Sequence, residues 1–227
     1  CLLPTAGLVW AEAVGSPAGI LKKGQWLMGG GGGGLLGRAL TGNANATSYQ
    51  LGHFRGYGLT DRLSLYGKIG GAYLEIDDPA VQTSTSPSSI HSFGAGILVS
   101  VGVKGRLWRS ASQKWEWDGS VQYVDVRARH RGSNDGHWRE WVGATSVARS
   151  FGRIKPYLGL KYSVIDVDAK YRENGRPLKQ VAYEAETTVG PFFGTDVYFG
   201  DQEDVIINVE TSYVNGTEVG VSVQYLF

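Results

Sequence analysis

Histidines and carboxylates are the side chains here best suited to acid–base chemistry, and they are few and scattered. The four histidines are His53, His91, His130 and His137. Two of them, His130 and His137, stand with Asp77, Asp78, Asp166 and Asp168 near the ends of long connectors between predicted strands. A histidine held against an aspartate can take a proton from water and so begin a hydrolysis. His130, however, sits in Arg127-Ala128-Arg129-His130-Arg131, which reads as a hydrated basic rim, and acids in exposed connectors are ordinary. No spacing among the histidines would gather a metal, so neither a metal nor another cofactor is expected. The one cysteine is residue 1, which removes disulfides and a thiol nucleophile from everything downstream. The run Gly29–Gly34 is followed by no Lys-Ser or Lys-Thr and opens no helix, so it is not a phosphate cradle. With 22 basic and 21 acidic side chains the charges nearly cancel, which leaves no electrostatic case for nucleic acid.

The elements that would position these side chains are strands. Residues Thr217 to Phe227 alternate strictly: Val219, Val221, Val223, Tyr225 and Phe227 lie on one face, and Glu218, Gly220, Ser222, Gln224 and Leu226 on the other. Their length suits a tilted strand crossing a bilayer. The mean hydropathy of −0.17 is too polar for a helical membrane protein, but a barrel turns only alternate residues to lipid. Ten strands are predicted near 24–34, 47–58, 63–76, 92–107, 114–128, 138–149, 155–168, 181–199, 205–213 and 217–227. Short turns, such as Gly58-Leu59-Thr60-Asp61-Arg62, alternate with the longer connectors 35–46, 77–91, 129–137 and 169–180. This is the asymmetry of a membrane barrel with long loops outside the cell, and a soluble β-sandwich does not require it. Aromatics gather at both strand ends. Tyr57, Trp108, Trp115, Trp117, Phe151, Tyr157, Tyr198, Phe199 and Phe227 fall at the short-turn end. Tyr49, Tyr73, Trp138, Trp141, Tyr171, Tyr183 and Tyr213 fall at the other. The expected fold is all-β: a closed up-and-down antiparallel transmembrane β-barrel of ten strands, with eight as the alternative.

Residues 1–13 read as the remnant of a secretory signal peptide closing on Ala11-Glu12-Ala13, with the barrel over 14–227. The rival reading makes Cys1 a lipidated residue.

If apolar faces meet lipid, the opposite faces line the lumen. The predicted lining includes His53, Arg55, Lys68, Lys104, Arg106, Glu116, Asp118, Lys161, Glu184, Glu186, Asp196, Asn208, Glu210 and Glu218. Cations dominate the second to fourth strands, and acids the fifth and the eighth to tenth. Opposite charges across so narrow a lumen should pair, since isolated charges there are costly. Two hairpins sharpen the expectation. A turn centred near Ala111 sets Lys104 opposite Asp118 and Arg106 opposite Glu116. A three-residue loop, Val214-Asn215-Gly216, sets Tyr213 opposite Thr217, with positive φ at Gly216.

The final Tyr225-x-Phe227 and the unit Tyr57-Gly58-Leu59-Thr60-Asp61-Arg62-Leu63-Ser64-Leu65-Tyr66-Gly67-Lys68 resemble the small bacterial outer-membrane β-barrel superfamily. That superfamily includes the transmembrane domain of outer membrane protein A and the opacity-type surface proteins. The resemblance implies an integral outer-membrane protein in contact with membrane lipid and lipopolysaccharide. It also implies Tyr225 and Phe227 as a signal read by the barrel-assembly machinery, and loops 77–91 and 169–180 displayed to an unidentified extracellular ligand. Members differ in activity. Three functions follow: a structural or surface-interaction barrel with no enzymatic role, a narrow porin for small solutes, or a rim protease like the omptins. No local stretch carries an omptin active-site motif.

Overall fold

The structure, a computed structural model, describes residues 20–81, 89–129, 134–173, 176–185 and 188–227. The predicted signal segment, His130 and Glu186 lie outside them. Eleven strand segments occupy ten positions around one closed sheet. They are β1 (Trp26–Leu40), β2 (Ala44–Thr60), β3 (Leu63–Asp77), β4 (Ile90–Arg109), β5 (Trp115–Arg129), β6 (Asp135–Arg149), β7 (Ile154–Glu173), β8 (Arg176–Glu184), β9 (Val189–Phe199), β10 (Val205–Tyr213) and β11 (Thr217–Leu226). Every pairing is antiparallel, and β1 closes on β11 from Leu27↔Leu226 to Leu36↔Thr217. Two backbone bonds between Trp26 and Phe227 finish the seam. Closure leaves no open edge along the lower wall, which hydrocarbon would not tolerate; among the described residues only β8, beside the upper part of β7, has a single partner strand.

One predicted strand, 181–199, is two segments. β8 pairs with the upper part of β7 (Asp166↔Glu184 to Glu173↔Arg176), and β9 pairs with its lower part (Ile154↔Val197 to Tyr162↔Val189). Inward-facing residues change parity across that break, from Val181 and Tyr183 in β8 to Gly190, Phe192 and Asp196 in β9.

The strands also run well past their predicted ends, and most of the predicted loops 35–46 and 169–180 is strand. Polarity inverts along the long strands, which is why those stretches read as loops. On β5, Trp115, Trp117, Val121 and Tyr123 face out in the lower part while Glu116, Asp118 and Gln122 face in. Above Tyr123 the same outward row continues as Asp125, Arg127 and Arg129, and the inward row as Val124, Val126 and Ala128. β7 does the same, with Leu158, Leu160 and Tyr162 giving way outside to Asp166, Asp168 and Lys170, and Lys155, Lys161 and Ser163 giving way inside to Ile165, Val167 and Ala169. The outer wall is therefore an apolar band below and a charged collar above.

Aromatic pairs mark the edges of the band: Trp26 on Tyr57 (4.7 Å between ring centroids) below, Tyr123 on Trp141 (4.9 Å) and Tyr49 on Tyr73 (6.3 Å) above. Tyr57 to Tyr49 is eight residues, and so is Trp115 to Tyr123. At ~3.4 Å per residue and a tilt of ~40°, that is about 20 Å of height, close to an outer-membrane apolar band. Not every predicted girdle residue belongs to one. Tyr157 and Tyr198 face inward below, and Trp138, Tyr171 and Tyr183 are buried in the upper interior.

Candidate functional site

The interior is built in three tiers. In the lowest, Glu116 on β5 is fully buried and collects cations from three directions. Lys155 Nζ donates to its Oε2 at 2.5 Å, Arg109 Nε lies 2.7 Å from Oε1 and Arg106 Nε 3.7 Å from it. Asp118, one inward step above, is buried with Lys155, Arg106 and Lys104 acting on it electrostatically and no hydrogen-bond donor on its carboxylate. Glu116, Lys155, Arg106 and Arg109 border a chamber of about 610 Å³ at the lower mouth, also lined by Lys22, Gln25 and Tyr198. The segment before β1 folds into this mouth as a strap. Ile20 and Leu21 are buried, Leu21 N–H donates to Ser64 Oγ at 2.8 Å, and Lys23 N–H to Asp61 Oδ1 at 3.0 Å. Gly58 makes room for it: a Cβ there would lie 1.9 Å from the Lys22 carbonyl oxygen.

The middle tier is a polar network. Lys161 donates to Glu218, which also accepts from Ser212 Oγ at 2.7 Å. Arg38, buried to 1% exposure, donates from Nη2 to Ser163 Oγ at 2.9 Å, and Ser163 donates to Glu140 Oε1 at 2.5 Å. Beside them Tyr157 donates to Glu210 (2.8 Å), and Asn208 donates to Asp196 Oδ1 (2.6 Å) and to Tyr157 (2.8 Å). On the opposite wall Gln122 donates to Ser100 Oγ (3.0 Å), and Lys104 Nζ stands 5.2 Å from the centre of the Tyr66 ring. Glycines let the rings lie flat against the wall. A Cβ at Gly102 would come within 2.4 Å of Tyr66, and one at Gly194 within 2.4 Å of Tyr157.

The upper tier is packed with apolar side chains. Leu40, Leu74, Ile76, Phe93, Val126, Trp138, Val167 and Tyr171 pack into one core across the barrel. A polar chain within it is satisfied internally: Tyr171 and Tyr183 share a hydrogen bond of 2.6 Å, and Tyr183 donates to Asp78 Oδ2 at 2.6 Å. Burial pushes the Tyr171 phenol up to about 12, and burial with the Asp78 contact pushes Tyr183 well above the usual phenol range.

Lys68, Lys104, Arg106, Glu116, Asp118, Lys161, Asp196, Asn208, Glu210 and Glu218 all point into the barrel. Arg55 and His53 do not. They face out, because β2 turns Gly52, Phe54, Gly56 and Gly58 inward to admit the Lys68 stem and the strap. Glu184 also faces out, since its neighbours Val181 and Tyr183 turn to the upper core. The β4–β5 register differs from the expected one. A bulge between Arg106 and Trp108 sets Lys104 opposite Ser120, Arg106 opposite Asp118 and Arg109 opposite Glu116. In the last hairpin Tyr213 faces Thr217 and Gly216 has positive φ (158), as expected, and Asn215 (φ 52) before it is left-handed as well. Gly216 is also needed for close approach, since a Cβ would lie 2.8 Å from Arg38 Cα.

Arg38, Glu140, Lys155 and Tyr157 are among the interior residues that sequence reasoning missed. Three were legible from parity: Lys155 and Tyr157 share the row of Lys161, and Glu140 the row of Ser146. Arg38 was not, because left-handed Gly37 (φ 63) precedes it and breaks the alternation of β1.

The candidate acid–base residues are dispersed. His137 Nε2 lies 2.8 Å from Asp125 Oδ2, but on the outer wall, where Arg127 shares the same aspartate at 3.1 Å. Burial pushes the Asp125 carboxyl up, and the hydrogen bond and charge of His137 with the charge of Arg127 outweigh it, holding the group below its ordinary value. Asp166 and Asp168 both pair with Arg139 at 2.8 Å, and Asp78 is buried under Tyr183. Among the described residues no group of three potential ligands gathers for a metal.

No family model matches the chain, and no curated protein matches it. Solved structures do. The outer membrane protease OmpT from Escherichia coli is 8% identical, over 89% of this chain and 95% of its own, with a TM-score of 0.43. The translocator domain of autotransporter NalP from Neisseria meningitidis is 9% identical over 91% and 89%, at 0.47. The outer membrane protein OprG from Pseudomonas aeruginosa is 11% identical over 92% and 98%, at 0.43. Strand pairing alone makes the chain a closed antiparallel β-barrel of ten strand positions. Likenesses of this size assign it neither an activity nor a ligand.

Proposed function

We propose that this barrel is an integral protein of the bacterial outer membrane with a structural or surface-directed role, and that it carries no solute across. The observation behind this reading is the apolar core of Leu74, Phe93, Val126, Trp138 and Val167 stacked above the Arg38–Glu140–Lys161–Glu218 network. A conducting path would have to pass both, breaking buried ion pairs and then wetting an apolar core. Lipid and lipopolysaccharide meet the band and the collar, and the assembly machinery reads Tyr225 and Phe227 in this account. The collar of Asp125, Arg127, Arg129, His137 and Arg139 is the surface offered to the outside.

The narrow-channel reading has one observation in its favour, the charged chamber at the lower mouth. Planar-bilayer recording on refolded protein separates the two. A closed structural barrel leaves the bilayer at baseline conductance, and discrete, voltage-stable steps would establish the channel.

A further inference from the structure

Arg55 and His53 are out of keeping with the face they share. Leu51, Tyr57, Leu65 and Ile69 surround them on the outside of β2 and β3, and Leu51 is 67% exposed. Arg55 lies two residues above Tyr57, whose ring packs on Trp26 in the lower girdle. Its Nε donates to His53 Nε2 at 3.3 Å, and among the described residues no carboxylate meets the guanidinium. The space beside it is open towards β3, while on β1 the exposed Met28 stands next to it, two residues along from the Trp26–Tyr57 pair. Its registered neighbour on β3 is Gly67, which has no side chain. On the β1 side a Cβ at Gly30 would have only the Gly52 carbonyl oxygen in reach, at 3.8 Å.

A charge on a lipid-facing strand is costly unless it finds a counter-charge, and arginine does so by extending to the headgroup layer. Two residues of a tilted strand are roughly 5 Å of height, within reach of an extended arginine. The planar guanidinium suits a phosphate, which it can hold through two parallel bonds. Arg149, the outward arginine at the foot of β6, differs because its guanidinium already lies over Trp115 (5.0 Å) and Phe151 (4.6 Å). A second copy docked about a two-fold axis along the membrane normal would bring Arg55 towards its own equivalent, like charge against like.

We propose that Arg55, oriented by His53 and bordered below by Trp26 and Tyr57, binds the phosphate of a phospholipid in the periplasmic leaflet. The site rests on the membrane orientation proposed above. Native mass spectrometry of the detergent-solubilised protein titrated with phosphatidylglycerol tests it. One lipid should be retained per barrel, Arg55→Gln should weaken retention about tenfold, as loss of a charge-assisted bond does, and Arg149→Gln should change it less than about twofold. Arg55→Lys should fall between. Equal weakening by both glutamine variants would mean diffuse charge attraction and overturn the site, as would wild-type retention by Arg55→Gln. A dimer lost with Arg55→Gln would assign the surface to a second copy instead. Failure of the wild-type chain to insert into vesicles would overturn the membrane orientation, whereas insertion without lipid retention overturns the site alone.

Discussion

Glu116→Gln should destabilise the barrel more than any other single neutralisation at the lower mouth. Glu116 is wholly buried and serves Lys155 at 2.5 Å and Arg109 at 2.7 Å, with Arg106 at 3.7 Å. A glutamine of the same shape keeps one acceptor oxygen but leaves these cations facing one another. Removing one partner of a buried pair costs about 3–5 kcal/mol. Here Arg109 keeps 39% of its side chain in solvent and Arg106 17%, so water relieves part of the penalty, and about 2–3 kcal/mol is expected. Urea unfolding in lipid vesicles measures it, with heat-modifiable gel mobility as the check on folding. The coupling is then isolated by a double-mutant cycle with Lys155→Met, which should recover about 1–2 kcal/mol of the loss. Additive effects, or a Glu116→Gln loss under about 0.5 kcal/mol, would show the cluster to be hydrated and would refute the reading of Glu116 as its anchor. Asp118→Asn makes the contrast: its carboxylate has no hydrogen bond to lose, so the change should be smaller.

Gly194→Ala drives a Cβ to within 2.4 Å of the Tyr157 ring and 2.6 Å of the Val209 carbonyl, so a loss of about 1–3 kcal/mol is expected in the same unfolding assay. Gly58→Val should expel the strap, and trypsin should then cut at Lys22 or Lys23 many times faster than in the wild type; equal rates would mean that the strap is not held. The depressed Asp125 carboxyl adds stability that is present above its unfolded value, about 3.9, and lost as pH falls through the lower folded one. Amide exchange at the tops of β5 and β6 should therefore accelerate below about pH 4 in the wild type and not in Asp125→Asn. Deleting Phe227 should impair insertion in cells more than stability after refolding; normal insertion would remove its assigned role as an assembly signal.

Much of the lower barrel is legible in the sequence. The alternation of Val219, Val221, Val223 and Tyr225 against Glu218, Ser222 and Gln224 needs one strand and one rule, and the Tyr213–Thr217 pairing follows from matching two such faces. The interior row from Glu116 to Gln122 is equally plain. The upper barrel is not, because the rule of apolar residues outside and polar residues inside reverses above the apolar band. Asp125, Arg127 and Arg129 keep the outward direction of Val121 while changing its chemistry, and so resemble a loop. Arg55 misleads for a related reason: beside Phe54 the inward face of lower β2 is glycine, chosen for what it admits, and glycine carries no polarity to read. The bulges at Gly37, at Gly94 and between Arg106 and Trp108 depend on how neighbouring strands fit, which alternation within one strand does not reveal.

The central claim is a barrel that is apolar outside and polar inside below Tyr123, and the reverse above it, with no water-filled path between. A single-cysteine scan along β5 tests both halves, and the chain has no cysteine after residue 1 to interfere. With a membrane-impermeant maleimide added to protein in vesicles, Asp125→Cys and Arg127→Cys should label readily. Val121→Cys, in the lipid band, and Val124→Cys and Val126→Cys, in the apolar core, should stay protected. Rapid labelling at 124 and 126 would show a wet lumen and contradict the closed interior, and labelling at 121 would contradict the membrane band itself.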